Sequence, residues 1–288
     1  MKMIHLTCPD HPEATLEGYI LDCELTLGQE TARPAIVVCP GGGYVYCSPR
    51  EGEPVALSYA AQGYHTFILR YSTGWDAKGF APLEEIDWVI GLLRENAESW
   101  HINPEKILTC GFSAGGHLAL AAGLLAKNRP NGMILGYPAV NISGAGFMTR
   151  LLAGEGEAPE VVAEKVDLLN HVTGDAPPLF LVATAEDALT PGGALALANR
   201  YSELSLGYEL HIFQHGPHGY SLATGVCADG SSQVLNPAFA HWLELSVYWM
   251  PQVFGKPVFT DKSTSKMAGY LKELGFALPG QSKGADFA

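Results

Sequence analysis

Short, β-rich apolar runs alternate with longer amphipathic stretches along most of this 288-residue chain. AIVVC (residues 35–39), TFILRY (66–71), Lys106–Gly111, Gly132–Gly136, PLFLVAT (178–184) and ELHIFQ (209–214) predict strands, and the alternating stretch Leu16–Leu27 predicts one or two earlier ones. Between them, Glu53–Gln62, Pro82–Ser99, Ala114–Lys127, Gly193–Leu204 and Ala238–Met250 carry helical patterns; Ile86, Val89, Ile90 and Leu93 recur at helical spacing. Such alternation is the signature of an α/β protein, a mainly parallel sheet covered by helices. Residues 141–176 break the rhythm and read as a small lid-like insertion over the sheet edge. The tail from Gly255 is weakly patterned. No break in composition divides the chain, so residues 1–288 are expected to form a single domain.

Composition narrows the class. Hydrophobic residues make up 47% and charged residues 16%, enough to bury a sizeable core. The net charge of −13 repels phosphate backbones and anionic lipid on average, so neither nucleic acid nor membrane is an expected partner. No apolar run reaches the length of a membrane helix. The N-terminus lacks the pattern of a secretory signal, which makes a cytoplasmic location the expectation. Six scattered cysteines without a CxxC pair predict reduced thiols and no structural metal.

Gly111-Phe112-Ser113-Ala114-Gly115 matches G-x-S-x-G and lies between a predicted strand and a predicted helix. Small residues two before and two after let the serine sit in a cramped turn, lifted clear of the sheet, with a helix N-terminus behind it that favours negative charge. Pro40-Gly41-Gly42-Gly43-Tyr44 follows the AIVVC strand. Consecutive glycines allow backbone N–H groups to converge without a Cβ in the way, as a developing oxyanion requires. Gly42 and Gly43 are the candidate donors, with the Ala114 N–H as a third.

A nucleophilic serine needs a base and an acid that orients it. His218 lies in HGPHGYSL after the ELHIFQ strand, 105 residues beyond Ser113. His215, nearer the strand end, is its rival. His117, one helical turn past Ser113, reads as structural, and His101 and His211 as packing or surface residues. The acid should follow PLFLVAT, where Glu186 and Asp187 are adjacent. Asp187 is favoured by the D-x-x-[VT]-P pattern, and Glu186 is the fallback. The chain order Ser…Asp…His is the one expected where the serine sits on a strand–turn–helix G-x-S-x-G motif.

PGGGY, CGFSAGGHLA, TAEDALTP and FQHGPHGYSL together resemble the bacterial esterase/lipase group that includes acetylxylan-esterase-like and hormone-sensitive-lipase-like carboxylesterases, over roughly residues 35–254. The resemblance implies the α/β-hydrolase fold, with a mainly parallel eight-stranded sheet. It implies a cofactor-free carboxylesterase of short acyl chains, often acetyl groups on sugars such as xylo-oligosaccharides. It carries Ser113, Asp187 and His218 onto the catalytic triad, and Gly42, Gly43 and Ala114 onto the oxyanion hole. The usual H-G-G-G motif begins with histidine; here Pro40 replaces it, which alters the hydrogen bonding that steadies the loop. Tyr44, Tyr46, Trp75 and Tyr220 are the expected pocket aromatics. The expected partners are a small-molecule ester and, at most, further copies of the chain in a homo-oligomer. A lactonase or thioesterase of the same fold, or a non-catalytic ligand-binding scaffold, are the competing readings.

Overall fold

Ala35–Cys39 and Leu179–Thr184 are apolar at almost every position, and both become strands buried on both faces, as parallel strands under helices must be. A computed structural model describes residues 1–23, 29–30, 32–190, 192–228, 234–255, 260–261 and 266–275. Eight strands form one sheet: β1 (Lys2–Thr7), β2 (Thr15–Ile20), β3 (Arg33–Cys39), β4 (His65–Arg70), β5 (Ile102–Phe112), β6 (Gly132–Gly136), β7 (Leu179–Thr184) and β8 (Tyr208–Phe213). Their spatial order is β1-β2-β4-β3-β5-β6-β7-β8. The pairings of β2 with β1 and β4 are antiparallel; every other pairing is parallel. This is the expected mainly parallel, eight-stranded α/β sheet.

The helices are α1 (Glu53–Ala61), α2 (Ala81–Glu95), α3 (Ala114–Leu125), α4 (Gly146–Leu152), α5 (Pro159–Val166), α6 (Gly193–Glu203), α7 (Pro237–Ala240), α8 (Trp242–Phe254) and α9 (Lys266–Glu273). The periodic residues of α2, Ile86, Val89, Ile90 and Leu93, are all fully buried. Removing each such side chain from water contributes roughly 1.5–3 kcal/mol. Helices α1 and α8 meet where the Tyr59 and Ser246 hydroxyls lie 2.7 Å apart beside the Trp242 ring.

Several boundaries differ from the sequence expectation for local reasons. Helix α2 stops at Glu95 rather than Ser99 because the Asn96 side chain donates to the Leu92 carbonyl and closes the last turn. Strand β5 begins four residues earlier than expected: Ile102 pairs with Arg33, and a register shift follows. The expected helix over 238–250 divides at His241, after the Asn236 side chain caps Phe239 N–H at 3.0 Å. Residues 24–27 of the Leu16–Leu27 stretch and most of the tail lie outside the described residues.

The insertion joins β6 to β7, which are neighbours inside the sheet. It covers the carboxyl ends of the central strands, and Ile142, Phe147, Met148 and Leu169 form a wall above Ser113. In open α/β sheets this end is where ligands bind.

Candidate active site

The turn after β5 explains its two glycines. A methyl group on Gly111 would sit 2.1 Å from the Gly115 carbonyl oxygen, and one on Gly115 would sit 2.1 Å from that of Cys39. Only glycines let α3 start this close to the ends of β3 and β5. Ser113 is held between them at φ 52°, ψ −117°, a strained backbone for a residue with a side chain. Its N–H donates to Gly136 O (3.1 Å), and its carbonyl accepts from Ala139 N–H (3.1 Å).

Ser113 Oγ lies 2.7 Å from His218 Nε2, and His218 Nδ1 lies 2.8 Å from Asp187 Oδ2. With Nδ1–H donating to the carboxylate, Nε2 is left to accept the serine proton. Asp187 also accepts from Leu189 N–H (2.8 Å) and the Thr190 hydroxyl (2.8 Å). Burial alone would raise the Asp187 pKa. The bonds from His218 and Thr190, with the imidazole's charge, outweigh it and lower it to about 2.

The rival residues pair with each other. His215 Nδ1 meets Glu186 Oε1 at 2.8 Å, and Glu186 Oε2 accepts from Gly216 N–H. Their side chains are 70% and 55% exposed, against 14% for His218 and 3% for Asp187. The outer pair fastens the loop after β8; the inner pair reaches the serine.

The glycine loop runs beside Ser113. Gly42, at φ 130°, could carry no side chain, because a methyl there would lie 2.0 Å from Tyr46 O. The N–H groups of Gly42 and Gly43 take no hydrogen-bond partner among the described residues, whereas the Gly42 carbonyl accepts from Val45 and Tyr46. The Ala114 N–H begins α3 on the other side of the serine.

Among the four expected aromatics, the structure brings only Tyr46 to the cavity. Tyr44 is corrected: at φ 60° it turns inward, fully buried against Tyr71, Phe80 and His117. Trp75 is corrected too, since it stands 66% exposed and outside the cavity wall. Tyr220 packs inward on Phe239, its ring filling the space beside Gly216. The cavity measures about 880 Å³. Val45, Tyr46, Phe147 and Leu189 form its exposed apolar rim. Sequence reasoning missed Phe147 and Leu189, because only the fold shows which apolar residues of the insertion and of the loop after β7 turn toward the serine.

His117 is structural, as its helical position predicts. Its Nε2–H donates to Val166 O (2.8 Å) and its Nδ1 accepts from the Tyr44 hydroxyl (2.8 Å), joining α3 to the insertion and to the glycine loop. Burial lowers its pKa to about 4, against about 6.5 for an exposed histidine. Between those values the unfolded chain binds a proton that the folded chain refuses, so stability falls as pH drops from about 6.5 to about 4. His65, also lowered to about 4 by burial, acts in the same sense. The melting temperature is expected to decline across this window, with a shallower slope in His117→Asn. An unchanged slope would contradict this account.

Sheet order, strained serine turn and loop positions together define a protein of the α/β-hydrolase fold. A family model described as BD-FAE matches residues 21–141. The crystal structure of MGS-M1, an α/β-hydrolase enzyme from a Medee basin deep-sea metagenome library, is 34% identical, covers 88% of this chain and 98% of its own, and superposes with a TM-score of 0.75. An acetyl ester-xyloside bifunctional hydrolase from Caldicellulosiruptor lactoaceticus is 30% identical over 88% of this chain and 97% of its own, with a TM-score of 0.74. An acetylxylan esterase from Xylanibacter ruminicola is 28% identical over 66% of this chain; the chain spans 42% of that relative's length. The chain therefore belongs to the esterase/lipase family of α/β-hydrolases. No helix among the described residues is long and apolar enough to cross a membrane.

Proposed function

We propose that the chain is a serine carboxylesterase acting on esters of short acyl groups, with acetyl groups on sugars or xylo-oligosaccharides as the favoured substrates, and that it works as a single catalytic domain. The observation that carries this reading is the continuous Ser113–His218–Asp187 hydrogen-bond chain at the floor of the cavity. His218 takes the Ser113 proton as the hydroxyl attacks the ester carbonyl. The N–H groups of Gly42, Gly43 and Ala114 receive the oxyanion, and His218 returns the proton to the leaving alcohol. Water activated by the same imidazole then releases the acid and frees the serine. Asp187 fixes the tautomer and stabilises the imidazolium.

The preference for short acyl groups rests on the insertion. Ile142, Phe147, Met148 and Leu169 line the cavity beside the serine, and in this reading they bound the acyl group while the remaining volume receives the alcohol portion. The names of the xylan-related relatives support a sugar as that alcohol. A series of p-nitrophenyl esters beside acetylated xylo-oligosaccharides tests both parts. The expected outcome is a kcat/KM at least about tenfold higher for acetate than for octanoate, since roughly 1.4 kcal/mol of lost fit corresponds to a factor of ten. A preference for the octanoate would overturn the short-chain assignment.

A further inference from the structure

Glu51 is a carboxylate buried to 3% exposure that the reaction described above does not use, yet it reaches the cavity wall beside Ser113. Both of its oxygens are occupied. Oε2 accepts from Gly41 N–H at 2.8 Å, and Oε1 accepts from the Tyr137 hydroxyl at 2.6 Å. The Tyr137 oxygen in turn accepts from Ser221 N–H at 2.7 Å. Each contact belongs to a different part of the site. Gly41 immediately precedes the proposed oxyanion donors. Tyr137 follows β6, at φ 36°, with its ring 4.9 Å from that of His218 in an edge-on arrangement. Ser221 lies three residues beyond His218 on the same loop.

We infer that Glu51 is a positioning residue for ester hydrolysis, its side chain clamping the glycine loop to the wall behind His218 and so fixing the distance between oxyanion donors and base. The inference rests on the Ser113–His218 reading given above. Gly41 makes the clamp tight: a methyl there would meet Glu51 Oε2 at 2.6 Å and Ser113 Cβ at 3.1 Å, so only glycine lets carboxylate, loop and nucleophile come this close. The neighbouring Arg50 holds the loop that carries His218, donating to Gly219 O at 3.1 Å. Burial raises the Glu51 pKa, while the bonds from Tyr137 and Gly41 pull it back. A chain that keeps a buried acid here, at the cost of desolvation, gains a fixed geometry in return. Positioning is worth much in catalysis, because small misplacements of reacting groups cost up to about 10²-fold in rate.

The test is steady-state kinetics on p-nitrophenyl acetate for the wild type, Glu51→Ala and Glu51→Gln, with active sites counted by covalent fluorophosphonate attachment. Glu51→Ala is expected to lower kcat per labelled site by about 30- to 100-fold with KM within about threefold. Glu51→Gln keeps an acceptor for Gly41 N–H and is expected to recover about tenfold of that loss. Should Glu51→Ala fail to fold, the isosteric Gln variant decides alone. Wild-type kcat per labelled site in the variants, with any loss confined to melting temperature or labelled fraction, would reduce Glu51 to a structural residue and overturn the inference. A wild type that neither labels nor turns over would instead remove the underlying reading, and the inference with it; the two failures are told apart by the wild-type sample.

Discussion

Ser113→Ala is expected to remove ester hydrolysis, lowering kcat by about 10⁴- to 10⁶-fold while leaving the fold intact. The size of the effect follows from the mechanism. Without the hydroxyl there is no acyl-enzyme, and only the oxyanion donors and binding remain to assist direct attack by water. The fold should survive because the Ser113 backbone is fixed by its own bonds to Gly136 and Ala139, which a methyl side chain leaves in place. Circular dichroism and hydrolysis of p-nitrophenyl acetate, measured on the same sample, check both halves. Residual activity within about tenfold of wild type would place the chemistry elsewhere.

Asp187→Asn is expected to lower kcat by about 10⁴-fold, whereas Glu186→Gln should stay within about tenfold of wild type. The two carboxylates are adjacent in sequence but differ in surroundings. Asp187 is nearly buried, receives Leu189 N–H and the Thr190 hydroxyl, and faces His218. An amide there can present its NH₂ to Nδ1, forcing the imidazole into the tautomer that cannot accept the serine proton. Glu186 is exposed and, among the described residues, bonds to His215 and Gly216, so its loss loosens one loop without changing the tautomer. Because the Asp187 pKa is lowered to about 2, the carboxylate stays ionised through mildly acidic conditions. The stability it contributes is present above about pH 4, the value for an unfolded aspartate, and is lost only as pH falls from there toward 2. Kinetics of the two variants at neutral pH therefore compare charged carboxylates with their neutral amides. Equal losses in both would show that the acid role is shared.

Much of this was legible before the fold was known because it depends on local chemistry. Gly111 and Gly115 announce a turn too tight for a Cβ, and the contacts of 2.1 Å at both positions give the reason. The strands AIVVC and PLFLVAT are legible because burial on both faces leaves no polar position to confuse the pattern. Asp187 stood out from Glu186 through the D-x-x-[VT]-P pattern, whereas the order Ser…Asp…His fits His215 as well as His218, and only the folded loop separates those two. The aromatics were less legible. Tyr44 and Tyr46 are two residues apart on one loop, and whether each faces the cavity or the core depends on backbone angles such as the φ of 60° at Tyr44. Glu51 and Tyr137 were not legible at all. Their meeting depends on the ends of β3 and β6 coming together across β5, which no local pattern encodes.

The central claim is that a strained serine at the end of β5 carries the chemistry, and covalent capture tests it most directly. After exposure of the purified protein to a fluorophosphonate, peptide mapping by mass spectrometry should find one stoichiometric adduct on Ser113, its formation slowed by a competing acetyl ester and absent in Ser113→Ala. A folded sample that takes up no probe, or that carries it on another residue while Ser113 stays free, would contradict the account.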